Sequence, residues 1–239
     1  MKKRKIKLHR LLIVILSALT LIVGLIYAFT SSKPINNNPT PVLSATPTSV
    51  SYIHEEWNKN KSINADYKGD IVFASGLLNE KFVQAVDNEK YLNLSWDLVE
   101  SSHGAVFMDY RNTMDDQNII LYGHYVYKDE SLIFGPLHNL IKQENYEENK
   151  LIYLNLQNEQ KVYEITNVFY YEMDNPTLEY FHTNYDEEYF NLYFENVKKH
   201  SFYDTGVEID YGDQFLTLQT CVRNRDDLRL IVIAKRIEA

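Results

Sequence analysis

The spacing of apolar positions divides the chain into many short strands and few helices. Gly69 to Gly76 holds the apolar core Ile71-Val72-Phe73-Ala74 between glycines and predicts a first strand. Gly104 to Tyr110 predicts another, and the apolar run Asn118 to Tyr122 predicts a buried one. Lys150 to Leu156 and Lys161 to Tyr171 are rich in Tyr, Ile, Val and Leu. The turn-prone Gln157-Asn158-Glu159 separates them, which predicts a hairpin. Leu216 to Cys221 and Leu230 to Ala234 predict the last two strands, with Arg229 opening the second of them.

Helical spacing appears in three places. Tyr52 to Asn60 sets Ile53 and Trp57 four apart on one face. Phe134 to Gln143 predicts a short helix. In Asp186 to His200, Tyr189, Leu192, Tyr193 and Val197 recur with the helical period, and Phe190 and Phe194 widen the stripe. Asn184 is the expected N-cap there, with Glu187 three residues later, and Lys198, Lys199 and His200 suit the negative end of the helix dipole. Short strands with so few helices predict a mainly β closed barrel or sandwich. No internal repeat is visible.

The N-terminal segment follows different rules. Leu11 to Phe29 is uncharged and apolar, and as a helix it would span ~29 Å, close to the hydrocarbon thickness of a bilayer. Basic residues crowd the stretch before it, which keeps the N-terminus in the cytoplasm and exports the rest. The run is longer than the apolar core of a cleaved signal peptide, and no clear small-x-small site follows Phe29. Residues 1–29 are therefore expected to be a cytoplasmic tail and membrane anchor, residues 30–51 a flexible stalk rich in Pro, Ser, Thr and Asn, and residues 52–239 an extracellular folded domain.

Charge sharpens that division. The 239 residues carry a formal net charge of −9, yet residues 1–54 contain seven of the 24 bases and no acid. Seventeen bases then face 33 acids beyond position 54, a net of −16. So acidic an exported domain gives nucleic acid no electrostatic footing. The chain has one cysteine, which in an exported domain must be buried and inert, paired between chains, or reactive.

The candidate chemistry follows from strand positions. Alternation places Leu216, Leu218 and Thr220 on one face of their strand and Thr217, Gln219 and Cys221 on the other. With the leucines inward, the cysteine is left on the polar, accessible side. His124 ends the run Asn118 to Tyr122 after Gly123, where an imidazole can exchange protons with a thiol and a leaving amine. An arginine at the edge of a neighbouring strand can hold an oxyanion through directed hydrogen bonds, which marks Arg229; Arg223 and Arg225 read as solvated loop charges. Thiol, imidazole and guanidinium at strand edges are the parts of thiolate acyl transfer. One Cys and scattered His offer no close pair of the kind structural zinc sites need, and no metal or cofactor is expected.

Those residues resemble a known family. Leu216-Thr217-Leu218-Gln219-Thr220-Cys221, then Arg229 leading into Leu230 to Lys235, is similar to the sortase signature TLxTC followed by a strand that opens with Arg. Asn118 to His124 resembles the sortase strand ending in the catalytic histidine. Residues 64–69, 87–92, 106–112 and 128–135, with the long helix before the cysteine strand, are similar to class B sortases, in colinear order from about residue 52 onward. Asp70 stands where class B members often have Trp, Tyr125 where they usually have Asn, and Gln219 where they usually have Ser. The Cys-to-Arg loop is short.

The resemblance implies a closed barrel of about eight strands with an N-terminal helix and a helix inserted before the cysteine strand. It implies that Cys221 attacks the Thr carbonyl of a C-terminal sorting motif in a secreted protein, that Arg229 holds the oxyanion, and that His124 protonates the departing amine. An amine of a cell-wall peptide (a peptidoglycan precursor) or a pilin lysine then resolves the thioacyl-enzyme. Thr220 is expected to help position substrate and Tyr122 to line the groove. Two rivals stand beside this reading. A cell-wall cysteine peptidase would hydrolyse, although in papain-like enzymes the Cys precedes the His. A membrane-tethered binding module would carry an unreactive thiol.

Overall fold

The computed structural model describes residues 50–237; the basic tail, the apolar run and nearly all of the stalk lie outside the described residues. Among the described residues, no helix is long and apolar enough to cross a membrane. Helix α1 (Val50–Ile63) precedes strands β1 (Tyr67–Phe73), β2 (Asn79–Val83), β3 (Val106–Met108), β4 (Asn118–Tyr122), β5 (Leu151–Asn155) and β6 (Gln160–Glu172). Helix α2 (Glu187–His200) follows, then β7 (Phe215–Val222) and β8 (Arg225–Ile237). The strands close into one barrel in the order β1-β2-β3-β4-β7-β8-β6-β5, with β5 returning to β1. The pairs β2/β3 and β4/β7 are parallel and the rest antiparallel. Closure gives every one of these strands a neighbour on both sides.

Alternation built this barrel. In β1, Tyr67, Ile71 and Phe73 are buried while Lys68, Asp70 and Val72 are half-covered. The interior is mostly aliphatic, with Ile71, Ile119, Leu121, Ile165, Leu216, Leu218, Leu230 and Val232 fully or almost fully enclosed. Each such side chain contributes about 1.5–3 kcal/mol relative to an exposed position.

A second apolar layer lies outside the barrel wall. Helix α2 turns Phe190, Tyr193, Phe194 and Val197 onto Phe169, Phe215, Ile231 and Ile233. The expected helix is present, but its cap differs. Asp186 accepts from the Tyr189 amide at 2.8 Å. Asn184 instead donates to Asp116 and accepts from the Gln117 amide, tying the segment to the start of β4. Other boundaries also shift. The first strand runs from Tyr67 to Phe73, and β2 was not foreseen, because its five residues include two charges and too little alternation to stand out. The short helix at Phe134 is a 3-10 helix, Gly135–Ile141. The last strand begins at Arg225, so Arg229 lies within it.

Candidate functional site

Three neighbouring strands set one row of side chains. β4 and β7 run parallel with Tyr122 opposite Gln219, and the Gly123 amide donates to the Gln219 carbonyl at 3.1 Å, so the ladder outlasts the strand. Two more residues bring His124 level with Cys221. On the other side of β7, Cys221 pairs directly with Arg229 of β8. Directly paired residues face the same way. His124, Cys221 and Arg229 accordingly line one cleft of about 340 Å³, shared with Asn88, Leu92, Phe107, Tyr122, Gly123 and Gln219. A depression of about 400 Å³ between α2 and residues 201–209 is slightly larger, but neither a thiol nor an imidazole lines it.

The thiol of Cys221 is half-buried and free of any disulfide. The ladder between β7 and β8 shifts register immediately after it, so the nucleophile candidate is the last residue of regular pairing. The His124 ring lies 2.9 Å from the Leu92 carbonyl through Nε2. A carbonyl only accepts, so Nε2 is the donor there. Gly104 makes room for that ring. Its φ is +61°, and a Cβ there would stand 2.5 Å from the Tyr91 carbonyl and 2.9 Å from the His124 ring. Arg229 donates through Nη1 to the carbonyls of Asp226 and Leu228 at 2.8 and 2.9 Å. Among the described residues it pairs with no carboxylate, so its charge is available to the cleft.

The aromatic wall is anchored on a buried acid. Tyr122 packs at a tilt against Phe107 with ring centroids 5.3 Å apart, and its hydroxyl donates to Asp109 at 2.8 Å. Burial, with that carboxylate beside it, pushes the Tyr122 phenol far up, so it stays protonated. Asp109 is fully enclosed. Burial alone would raise its pKa, but the bidentate Arg111 guanidinium, the Arg111 amide and the Tyr122 hydroxyl together hold it below the usual carboxylate value. Asn88 also donates to Asp109, at 3.2 Å, and Arg111 donates to the Phe181 carbonyl at 2.9 Å. One carboxylate therefore organises the ends of β3 and β4 and two loops. Opposite, Tyr180 donates to Gln219 at 3.3 Å.

The structure gathers four of the five residues singled out from the sequence. Cys221, His124, Arg229 and Tyr122 line the cleft. Thr220 does not. It lies on the inward face with Leu216 and Leu218, fully buried, and its hydroxyl has no partner among the described residues. Thr217 shares the cysteine's side of the strand without sharing its exposure. It is on the outer face, yet buried, and donates to Asn118 at 2.8 Å. Asn88, Leu92, Phe107 and the supporting Asp109 were not foreseen, because they come from β3 and the loops flanking it, remote in sequence from the cysteine. Gln219 was within reach, two residues before Cys221 on the same face.

A closed, mainly β barrel with a half-exposed thiol between an imidazole and a guanidinium defines a thiol-dependent acyl-transfer scaffold. The sortase domain family matches residues 81–237. Sortase B of Staphylococcus aureus is 28% identical over 192 residues, covering 78% of this chain and 77% of that protein. A mutant form of Clostridium perfringens sortase B superposes with a TM-score of 0.73 at 25% identity, covering 82% of this chain and 92% of that one. A Staphylococcus aureus sortase B–substrate complex gives a TM-score of 0.71 at 26% identity, with 78% and 86% covered. The chain belongs to the sortase family. Within it, this cysteine transpeptidase sits with the class B enzymes.

Proposed function

We propose that Cys221, His124 and Arg229 are the catalytic residues, and that the chain joins secreted proteins to a cell-wall amine. The observation that carries the assignment is the row of these three side chains across β4, β7 and β8, facing one cleft. His124 takes the proton of the Cys221 thiol, and the thiolate attacks the carbonyl of a Thr in a C-terminal sorting motif. The oxyanion of the tetrahedral adduct is held by the Arg229 guanidinium. The C–N bond then breaks, His124 delivers a proton to the leaving amine, and a thioester remains on Cys221. An incoming amine attacks that thioester, His124 takes up its proton, and the thiolate departs as the new amide forms.

Tyr122, Phe107 and Leu92 form the surface on which the motif's side chains rest. Gln219, where Ser is usual, narrows the same wall and sets this chain's motif preference apart. Thr220, fully buried on the inward face of its strand and absent from the cleft lining, takes no part in binding substrate. The acceptor is a peptidoglycan-precursor amine, with a pilin lysine as the alternative. Residues 1–29 hold the enzyme in the cell membrane with its N-terminus in the cytoplasm. Residues 30–51 lift the domain from 52 onward over the outer surface, where secreted substrates meet wall precursors.

The test is a peptide library cleaved by the full chain in membrane vesicles, with and without an added amine. Amide product that depends on the amine, and disappears in Cys221→Ala by more than ~10³-fold, is expected. Hydrolysis that ignores the amine would establish a peptidase instead. Absence of any cleavage would leave a binding module.

A further inference from the structure

A second histidine touches the nucleophile's own backbone, on a side that the cleft does not use. His138 projects from the 3-10 helix Gly135–Ile141, whose Leu137 and Leu140 are fully buried in the barrel core. Its Nε2 lies 3.0 Å from the Cys221 carbonyl. The carbonyl can only accept, so Nε2 carries the proton. Burial, outweighing the pull of that carbonyl and of Glu130, keeps the imidazole below its ordinary pKa and so neutral near pH 7. The Cys221 carbonyl points to the same edge as that of Gln219, which takes the Gly123 amide, but β4 has ended by then and the imidazole is its donor instead.

The His138 ring packs on Tyr125, with centroids 4.6 Å apart. Tyr125 is the residue directly after His124 and is only 6% exposed. Its hydroxyl donates to Glu130, which also faces Arg223 of the β7–β8 turn at 3.4 Å. The backbone closes the same loop. Tyr125 bridges Ile133, and the Phe134 amide donates to the His124 carbonyl at 3.2 Å. A continuous path therefore runs from the Cys221 carbonyl through His138 and Tyr125 to the backbone of His124. Neither ring lines the cleft.

We infer that His138 and Tyr125 form a bracket behind the cleft that fixes Cys221 against His124, and that both are positioning residues for the acyl transfer. The inference rests on the assignment of Cys221 and His124 proposed above. His138 holds the peptide plane of the nucleophile, and Tyr125 carries that restraint to the acid–base residue. Acyl transfer is sensitive to such spacing, because the imidazole must reach both the thiol and the leaving amine.

The experiment compares His138→Ala, His138→Gln and Tyr125→Phe in the full chain. It reads amine-dependent transfer, alkylation of Cys221 by iodoacetamide, and thermal unfolding. Loss of the bracket is expected to lower kcat of His138→Ala by about 10- to 100-fold, with KM within about twofold, since substrate contacts are untouched. The Gln side chain places an N–H where Nε2 stood, so His138→Gln recovers most of kcat and of the alkylation rate. Tyr125→Phe keeps the ring and loses only the Glu130 contact, and its kcat falls by no more than about fivefold. A His138→Ala enzyme with wild-type kcat and alkylation would overturn the bracket. So would a Gln variant no faster than Ala although equally folded. Wild-type protein that fails to transfer overturns the acyl-transfer reading alone, and the alkylation rates still judge the bracket.

Discussion

The outer face of β7 is one line of side chains with two fates. At its start, Phe215 and Thr217 are completely buried beneath α2 and the aromatic segment before it. At its end, Gln219 and Cys221 are half-open and line the cleft. The alternation is the same at both ends. What differs is the cover. Over the first half lie Tyr185, Phe190, Phe194 and Tyr193, whereas the second half emerges where α2 no longer reaches. A single strand can thus anchor the fold with one half of a face and present a nucleophile with the other. Fixed β-sheet geometry at the covered end holds the thiol still at the open end.

The two halves should separate in experiment. The largest stability effect is expected from Phe215→Ala, which empties a site packed against Phe194 at 5.2 Å and Tyr185 at 5.8 Å. It should cost about 3–5 kcal/mol in denaturant unfolding, while turnover per folded molecule stays near wild type. A parallel collapse of turnover would show that the covered half controls the open one. Next is Arg229→Lys. Lysine keeps the charge but loses the planar fork proposed to hold the oxyanion, so kcat should fall about 10²- to 10³-fold with little change in unfolding. Near-normal kcat in the lysine variant would remove Arg229 from the oxyanion role. The smallest effect is expected from Tyr193→Phe. The Tyr193 hydroxyl is buried without a partner among the described residues, so its removal should be neutral or stabilising by up to ~1 kcal/mol, read from the denaturant midpoint. A clear loss of stability would mean that the hydroxyl has a partner in solution.

Much of the barrel was legible in the chain. Apolar runs marked β1, β3, β4, β5, β6, β7 and β8, because each strand has at least one face in the aliphatic interior. The strand β2 was not legible, since a short strand held by its neighbours needs little pattern of its own. The helix α2 was visible from its aromatic stripe, but its cap was misassigned. Asp186 and Asn184 are both competent caps, and only the tertiary pull of Asp116 and Gln117 on Asn184 decided between them. At the site, Cys221, His124 and Arg229 stood out because each ends or flanks an apolar run. Asp109, His138 and Asn88 did not, since their roles depend on partners 13, 83 and 21 residues away.

The succession of most strands along the chain, the lone thiol, and a histidine and an arginine flanking apolar runs were determined by the sequence alone, through local pattern and chain order. The burial of Thr217, the loss of Thr220 to the interior and the second histidine at the nucleophile's carbonyl were decided only by tertiary structure. The physical reason is that a strand's pattern says which residues share a face. It does not say what will cover that face, and cover is supplied by residues far along the chain.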